Sequence, residues 1–89
     1  MTDQTQLERP LPPNSTIGII GGGQLGRMLA SSAAKLGFQT IVLEPHKGCP
    51  AAQLCNRQIV AAYDDEAALA ELAQVSDVIT YEFENVPLS

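Results

Sequence analysis

The sequence predicts an α/β domain built on a doubly wound parallel sheet, and two observations carry this prediction. Short apolar runs that suit buried strands alternate with segments of helical periodicity, and the first apolar run ends in a glycine-rich turn. Parallel strands joined in this way need right-handed crossovers. We therefore expect about four strands in the order 3-2-1-4, which places the first and fourth strands side by side.

The length of 89 residues limits the chain to one small domain. Residues 1–15 are polar and contain Pro10, Pro12 and Pro13, a composition typical of an extended segment, so we expect a flexible arm there. The folded domain is expected to comprise residues 16–89.

The first half of the domain reads as strand, helix, strand. Residues 16–20 are β-branched and apolar, which predicts a buried strand, and residues 40–43 predict a second. Between them, residues 24–36 predict a helix that Gly37 would terminate. The apolar face of this helix is expected to consist of Leu25, Met28, Leu29, Ser32, Ala33 and Leu36.

The second half repeats the alternation less clearly. A short helical turn is expected at residues 51–54, with Pro50 at its start, followed by a weaker strand at 58–62. Asp64 or Asp65 can cap the next helix, and residues 77–81 predict the fourth strand. The apolar face of this second helix is expected to consist of Ala68, Leu69, Leu72 and Ala73.

Charge and composition exclude several classes of partner. The formal net charge of -5 disfavours a nucleic-acid backbone. No apolar run approaches the roughly 18 residues of a membrane span, and residues 1–15 resemble neither a signal peptide nor an anchor. Cys49, Cys55 and His46 do not form a metal-ligand pattern, so we expect reduced thiols in a cytoplasmic protein.

The first candidate site is the run from Gly21 to Gly26, which fits G-x-G-x-x-G between a predicted strand and a predicted helix. Glycines permit a tight turn and close backbone approach, while the helix start offers amide groups to an anion. A tight turn without a ligand is the alternative. Arg27, in the first helical turn, either assists an anion or is simply solvated.

Glu44 follows the second strand near the place where a dinucleotide fold puts its ribose-binding acid. From spacing alone, a nicotinamide or flavin dinucleotide is the leading ligand. The alternative is an exposed acid before Pro45.

At the end of the fourth strand, Glu82 and Glu84 occupy alternate positions and point to the same side if the chain is extended. Either they are solvated, or one carboxylate accepts hydrogen bonds from the hydroxyls or amine of a small polar ligand. The sequence contains no Ser-His-Asp set and no metal cluster, so no catalytic residue is predicted in this chain.

Two segments together are far more specific than the glycine pattern alone: residues 17–30 (IGIIGGGQLGRMLA) and residues 79–87 (ITYEFENVP). They resemble the amino-terminal domain of the carboxyaminoimidazole ribonucleotide synthetases, ATP-grasp enzymes also described as ATPase subunits of phosphoribosylaminoimidazole carboxylase. The resemblance implies a Rossmann-like pre-ATP-grasp domain at residues 16–89. It also implies that the ATP-grasp and carboxyl-terminal domains are absent from this chain, which alone would be inactive.

The resemblance implies a function in purine biosynthesis. The family carboxylates 5-aminoimidazole ribonucleotide with bicarbonate and ATP, with Mg²⁺ and ATP bound mainly by the absent domain, and a homodimer is expected. By motif position, Gln24, Leu25 and Glu82, together with Gly22 and Gly23, would contact the ribonucleotide. Glu84 and Asn85 are second choices. The alternatives are a dinucleotide-binding (NAD or FAD) regulatory or oxidoreductase module, and a scaffold without a ligand.

Overall fold

The computed structural model describes residues 12–82. They form a four-stranded parallel sheet in the order β3-β2-β1-β4, which confirms the predicted fold class and strand order. The elements are β1 Thr16–Ile20, α1 Gln24–Lys35, β2 Gln39–Leu43, a 3-10 helix Ala51–Gln53, β3 Arg57–Ile59, α2 Glu66–Val75 and β4 Val78–Tyr81.

The two faces of the sheet carry separate apolar clusters, since neighbouring side chains on a strand point to opposite faces. Ile19 lies under α1 and the 3-10 helix, whereas Ile20 lies under α2. One cluster contains Ile19, Ala30, Val42, Cys49 and Ala51; the other contains Ile20, Ile41, Leu43, Ile59, Ala68 and Leu72. With a helix on each face, the sheet is doubly wound as predicted.

The buried face of α1 differs from the predicted one. Gly26, Ala30 and Ala33 are its buried residues, while Leu25, Met28 and Leu36 are 44%, 64% and 70% exposed. The helix packs so closely on the sheet that only small side chains fit beneath it. The larger apolar residues therefore lie on its flank, although Gly37 adopts the predicted left-handed conformation at φ 86°.

Strand β3 ends at Ile59, so the predicted extension to residue 62 is wrong. The last bond of the β2–β3 ladder runs from the Glu44 amide to the Ile59 carbonyl at 3.1 Å. The Glu44 carbonyl then accepts from Gln58 Nε2 at 3.1 Å, and the His46 amide donates to Glu44 Oε2 at 3.0 Å. Because both groups that would continue the ladder toward β3 are bonded to side chains, strand pairing ends at this point.

Helix α2 begins with a side-chain cap. The Asp65 carboxylate accepts from the Ala68 amide at 3.0 Å, so Asp65 is the N-cap, one of the two candidates that the sequence offered. Leu72 and Ala68 are buried as expected, but Ala73 is exposed, which corrects that part of the predicted apolar face.

The chain is bonded to the domain just before β1, because the Asn14 amide donates to the Gly37 carbonyl at 2.9 Å. The boundary between an arm and the domain at residue 15 stays a prediction. Within residues 12–82, no helix is long and apolar enough to cross a membrane.

Candidate ligand-binding site

The turn between β1 and α1 begins at Gly21, whose φ of 115° lies in the region that favours glycine. The Gly21 amide donates to the Leu43 carbonyl at 3.1 Å, so the turn starts as a continuation of the β1–β2 ladder. It then leaves the sheet at the carboxyl end of β1, where doubly wound folds bind their ligands.

Gly22 is enclosed by the next loop. A Cβ atom at this position would lie 2.5 Å from Cys49 Sγ and 2.6 Å from Glu44 Cγ, so no larger residue fits without a shift of its surroundings. The Gly22 carbonyl accepts from the Ala51 amide at 3.0 Å. Gly22, which occupies the first variable position of the motif, therefore serves packing within the protein.

Helix α1 starts at this turn with Gly23 as its N-cap, and glycine has no side chain that could cap the helix. The first turn holds no acidic residue, and both Gln24 and Leu25 are exposed. The amide end of a helix carries a partial positive charge and suits an anion such as a phosphate group. This end of α1 therefore offers an anion a favourable position beside the side chain of Gln24.

Glu82 lies directly after β4, and its amide donates to the Ile20 carbonyl at 2.9 Å. Because Gly21 follows Ile20, the glycine turn and Glu82 occupy the same edge of neighbouring strands. The structure thus brings Gly22, Gly23, Gln24, Leu25 and Glu82 to one end of the sheet. Glu84 and Asn85 lie outside the described residues.

Glu44 corrects both sequence interpretations, since it is neither an exposed acid nor placed to bind a ribose. The residue is 6% exposed, and its Oε1 accepts from the Gly22 amide at 3.0 Å and from the Tyr63 hydroxyl. Its Oε2 accepts from the His46 amide at 3.0 Å and lies 2.7 Å from His46 Nδ1. Both carboxylate oxygens are thus engaged within the protein, which disfavours the dinucleotide alternative.

Hydrogen bonding sets the ionisation of this cluster. Burial alone would raise the pKa of Glu44, but hydrogen bonds from Tyr63, His46 and the Gly22 amide outweigh it and hold the pKa below its ordinary value. Burial and the bond to Glu44 raise the pKa of Tyr63 well above its ordinary value. Glu44 is therefore a carboxylate, and Tyr63 a neutral donor, near neutral pH.

Sequence reasoning missed Tyr63 as part of this edge. The one available signal was its place just after the third strand, since the carboxyl ends of parallel strands share an edge. Arg27, in turn, is partly buried, and its Nε has no hydrogen-bond partner among residues 12–82, so it is not simply solvated.

Cys49 and Cys55 are free thiols, and burial raises the pKa of Cys55. In the described part of the chain, no three His, Cys, Asp or Glu side chains come together as a metal site.

A doubly wound α/β domain with a glycine turn, a glycine N-cap at the following helix and a carboxylate at its switch point belongs to the class that binds nucleotides or sugar phosphates. The model of the ribonucleotide synthetase preATP-grasp domain matches residues 14–89. The chain therefore belongs to this family, which confirms the resemblance found in the sequence.

Individual relatives agree with this family assignment. The N5-carboxyaminoimidazole ribonucleotide synthase of Brucella melitensis is 77% identical over 87 residues, which cover 98% of this chain and 23% of that protein. N5-carboxyaminoimidazole synthetase from Staphylococcus aureus, solved with ADP, has a TM-score of 0.81 at 55% identity, covering 86% of this chain and 21% of that one.

The Aspergillus clavatus N5-carboxyaminoimidazole synthase was solved with ADP and 5-aminoimidazole ribonucleotide. It matches with a TM-score of 0.71 at 39% identity and covers 83% of this chain and 20% of that one. The chain thus spans about a quarter or less of the relatives that it matches.

Proposed function

We propose that this chain is the ribonucleotide-binding, amino-terminal domain of an N5-carboxyaminoimidazole ribonucleotide synthase. The complete protein would carboxylate 5-aminoimidazole ribonucleotide with ATP and bicarbonate. The observation that carries the proposal is the convergence of the glycine turn and Glu82 at one end of neighbouring strands, in a fold shared with a relative solved with that ribonucleotide.

Each part of the site has a chemical role in this proposal. The backbone of Gly22 and Gly23 shapes the turn, and the first turn of α1, with Gln24 and Leu25, would lie against the sugar phosphate. A carboxylate accepts hydrogen bonds from hydroxyls and amines, and Glu82 would do so toward the ribonucleotide. Glu84 and Asn85 would contribute further contacts.

The remaining chemistry would belong to the rest of the protein. The relatives' complexes contain ADP, and ATP would be bound mainly outside this domain. We further propose bicarbonate as the co-substrate, Mg²⁺ with the ATP, a homodimer and a cytoplasmic location. No reaction step is assigned to residues of this chain, which would hold and orient the substrate.

The experiment is a kinetic comparison of Gln24→Ala and Glu82→Ala in the complete protein. Removing a hydrogen bond to a polar substrate should raise the ribonucleotide KM by about tenfold and leave the ATP KM within about twofold. Gln74→Ala is the matched control, because Gln74 is an exposed amide on α2 at the other face of the sheet. An unchanged ribonucleotide KM in both site variants would refute the assignment.

The dinucleotide alternative has its own test. A fluorescence titration with reduced nicotinamide cofactor should show no saturation, because Glu44 is engaged inside the protein. Saturable binding that Glu44→Gln abolishes would favour the dinucleotide module instead.

A further inference from the structure

Glu44 joins separate segments at the carboxyl edge of the sheet. It follows β2, and its carboxylate contacts Gly22 in the glycine turn, His46 in the loop after β2 and Tyr63 in the loop after β3. All these donors meet one group that is 6% exposed. A carboxylate in this position acts as a cross-link between the loops.

The peptide groups around Gly22 are held on two sides. Glu44 Oε1 accepts from the Gly22 amide at 3.0 Å, and the Ala51 amide donates to the Gly22 carbonyl at 3.0 Å. The side chains of Glu44 and Cys49 also fill the space that a Cβ atom at Gly22 would need. The direction in which the chain leaves Gly22 toward α1 is therefore fixed by Glu44 and its neighbours.

A buried carboxylate is costly unless donors satisfy it, and within residues 12–82 neither Lys nor Arg pairs with Glu44. Only a carboxylate can accept at both oxygens from the donors present. A glutamine would turn an NH₂ group toward one of them, and an aspartate would fall one methylene short. The identity of this residue therefore matters for the geometry of the turn.

We propose that Glu44, supported by Tyr63, is a positioning residue for ribonucleotide binding: it fixes the Gly22 peptide and thereby the orientation in which Gly23, Gln24 and the start of α1 meet the substrate. Glu44 itself does not touch the substrate, because its oxygens are engaged. The inference rests on the proposed function, since it deepens the role of the same site.

The test compares steady-state kinetics of Glu44→Gln and Tyr63→Phe in the complete protein. Glu44→Gln should raise the ribonucleotide KM by about tenfold with an ATP KM within about twofold of wild type. Tyr63→Phe keeps the ring and removes one donor, so its effect should be smaller, about two- to fivefold. Glu71→Gln is the matched control, because it removes the same charge from a half-buried position on α2, where the carboxylate pairs with Arg57 away from the glycine turn, and it should change neither constant.

A general loss of structure would lower kcat and raise both KM values together, so selective loss of ribonucleotide affinity separates positioning from instability. Tyr63→Phe keeps the test decisive if Glu44→Gln fails to fold. If Glu44→Gln folds and its ribonucleotide KM equals that of wild type, the positioning role is overturned. If Glu44→Gln does not fold, a wild-type ribonucleotide KM in Tyr63→Phe overturns it. Either result leaves the proposed function standing. A wild-type protein without ribonucleotide-dependent turnover overturns the proposed function, and the inference with it.

Discussion

Gly26 of helix α1 lies against the carbonyl oxygen of Gly21, at a distance that leaves no room for a side chain. A Cβ atom at position 26 would be 2.5 Å from that oxygen and 3.3 Å from the Ala51 Cβ. The last glycine of the motif therefore sets how closely α1 approaches the end of β1.

Replacing Gly26 by alanine should destabilise the domain even though alanine favours helices. The added methyl group meets backbone, which cannot rotate away, so we expect the free energy of unfolding to fall by about 1 to 3 kcal/mol. Urea unfolding followed by circular dichroism measures this. Ser32→Ala on the exposed side of the same helix is the control and should change stability by less than about 0.5 kcal/mol. A Gly26→Ala variant as stable as wild type would contradict the close packing.

The N-cap of α2 provides a second prediction. Asp65→Ala removes the acceptor of the Ala68 amide, and we expect a loss of about 1 kcal/mol in the free energy of unfolding. Asp64→Ala changes the same residue type one position earlier, where it does not cap the helix, and should have a smaller effect. Equal losses in the two variants would argue against Asp65 as the specific cap.

The core beneath α2 provides a third prediction. Leu72 is fully buried between α2 and the sheet, so Leu72→Ala should leave a cavity and cost about 2 to 5 kcal/mol. Leu36→Ala is the matched control, because Leu36 is 70% exposed at the end of α1 and its loss should be small. Denaturant midpoints of the two variants should differ clearly, and similar midpoints would place Leu72 outside the core.

The pKa of Glu44 predicts a pH dependence of stability. Because this pKa lies below the ordinary value of 4.5, the unfolded chain takes up the proton at higher pH than the folded chain. The stabilisation from ionised Glu44 is therefore complete above about pH 4.5 and is lost as the pH falls through the lower folded pKa. Urea unfolding between about pH 6 and 3 should show the wild-type advantage over Glu44→Gln shrinking toward acid. An advantage that stays constant would contradict this linkage.

The strand order could be predicted from the sequence because apolar runs and their connections leave few topologies open. The buried side of α1 could not be predicted from the sequence. Leu25, Leu29 and Leu36 recur at helical spacing, but periodicity does not reveal that Gly26 and Ala30 allow a closer approach and therefore lie beneath the helix. Hydrophobicity alone favours the leucines as the buried residues of α1. The distance between α1 and the sheet decides instead which side chains are covered.

The site divides in a similar way. The glycine turn and Glu82 could be predicted to lie together because both follow strands that are neighbours in the expected order. The role of Glu44 could not, because its spacing suits a ribose ligand while its hydrogen bonds go to Tyr63, His46 and Gly22. Gly22 and Tyr63 lie about 20 positions from Glu44 in the chain, and a single sequence does not pair them with it.

The pairing of β1 with β4 has a consequence for how the domain is made. The Thr16 amide donates to Asp77 Oδ2 at 2.7 Å, a contact between residues 61 positions apart. During synthesis from the amino terminus, β1 can meet β2 early, but its other side stays open until β4 has left the ribosome. Long-range parallel pairing of this kind slows folding, so β1, one of the two inner strands, is enclosed later than β2. One side of β1 therefore stays without its partner strand until residues 78–81 have been synthesised.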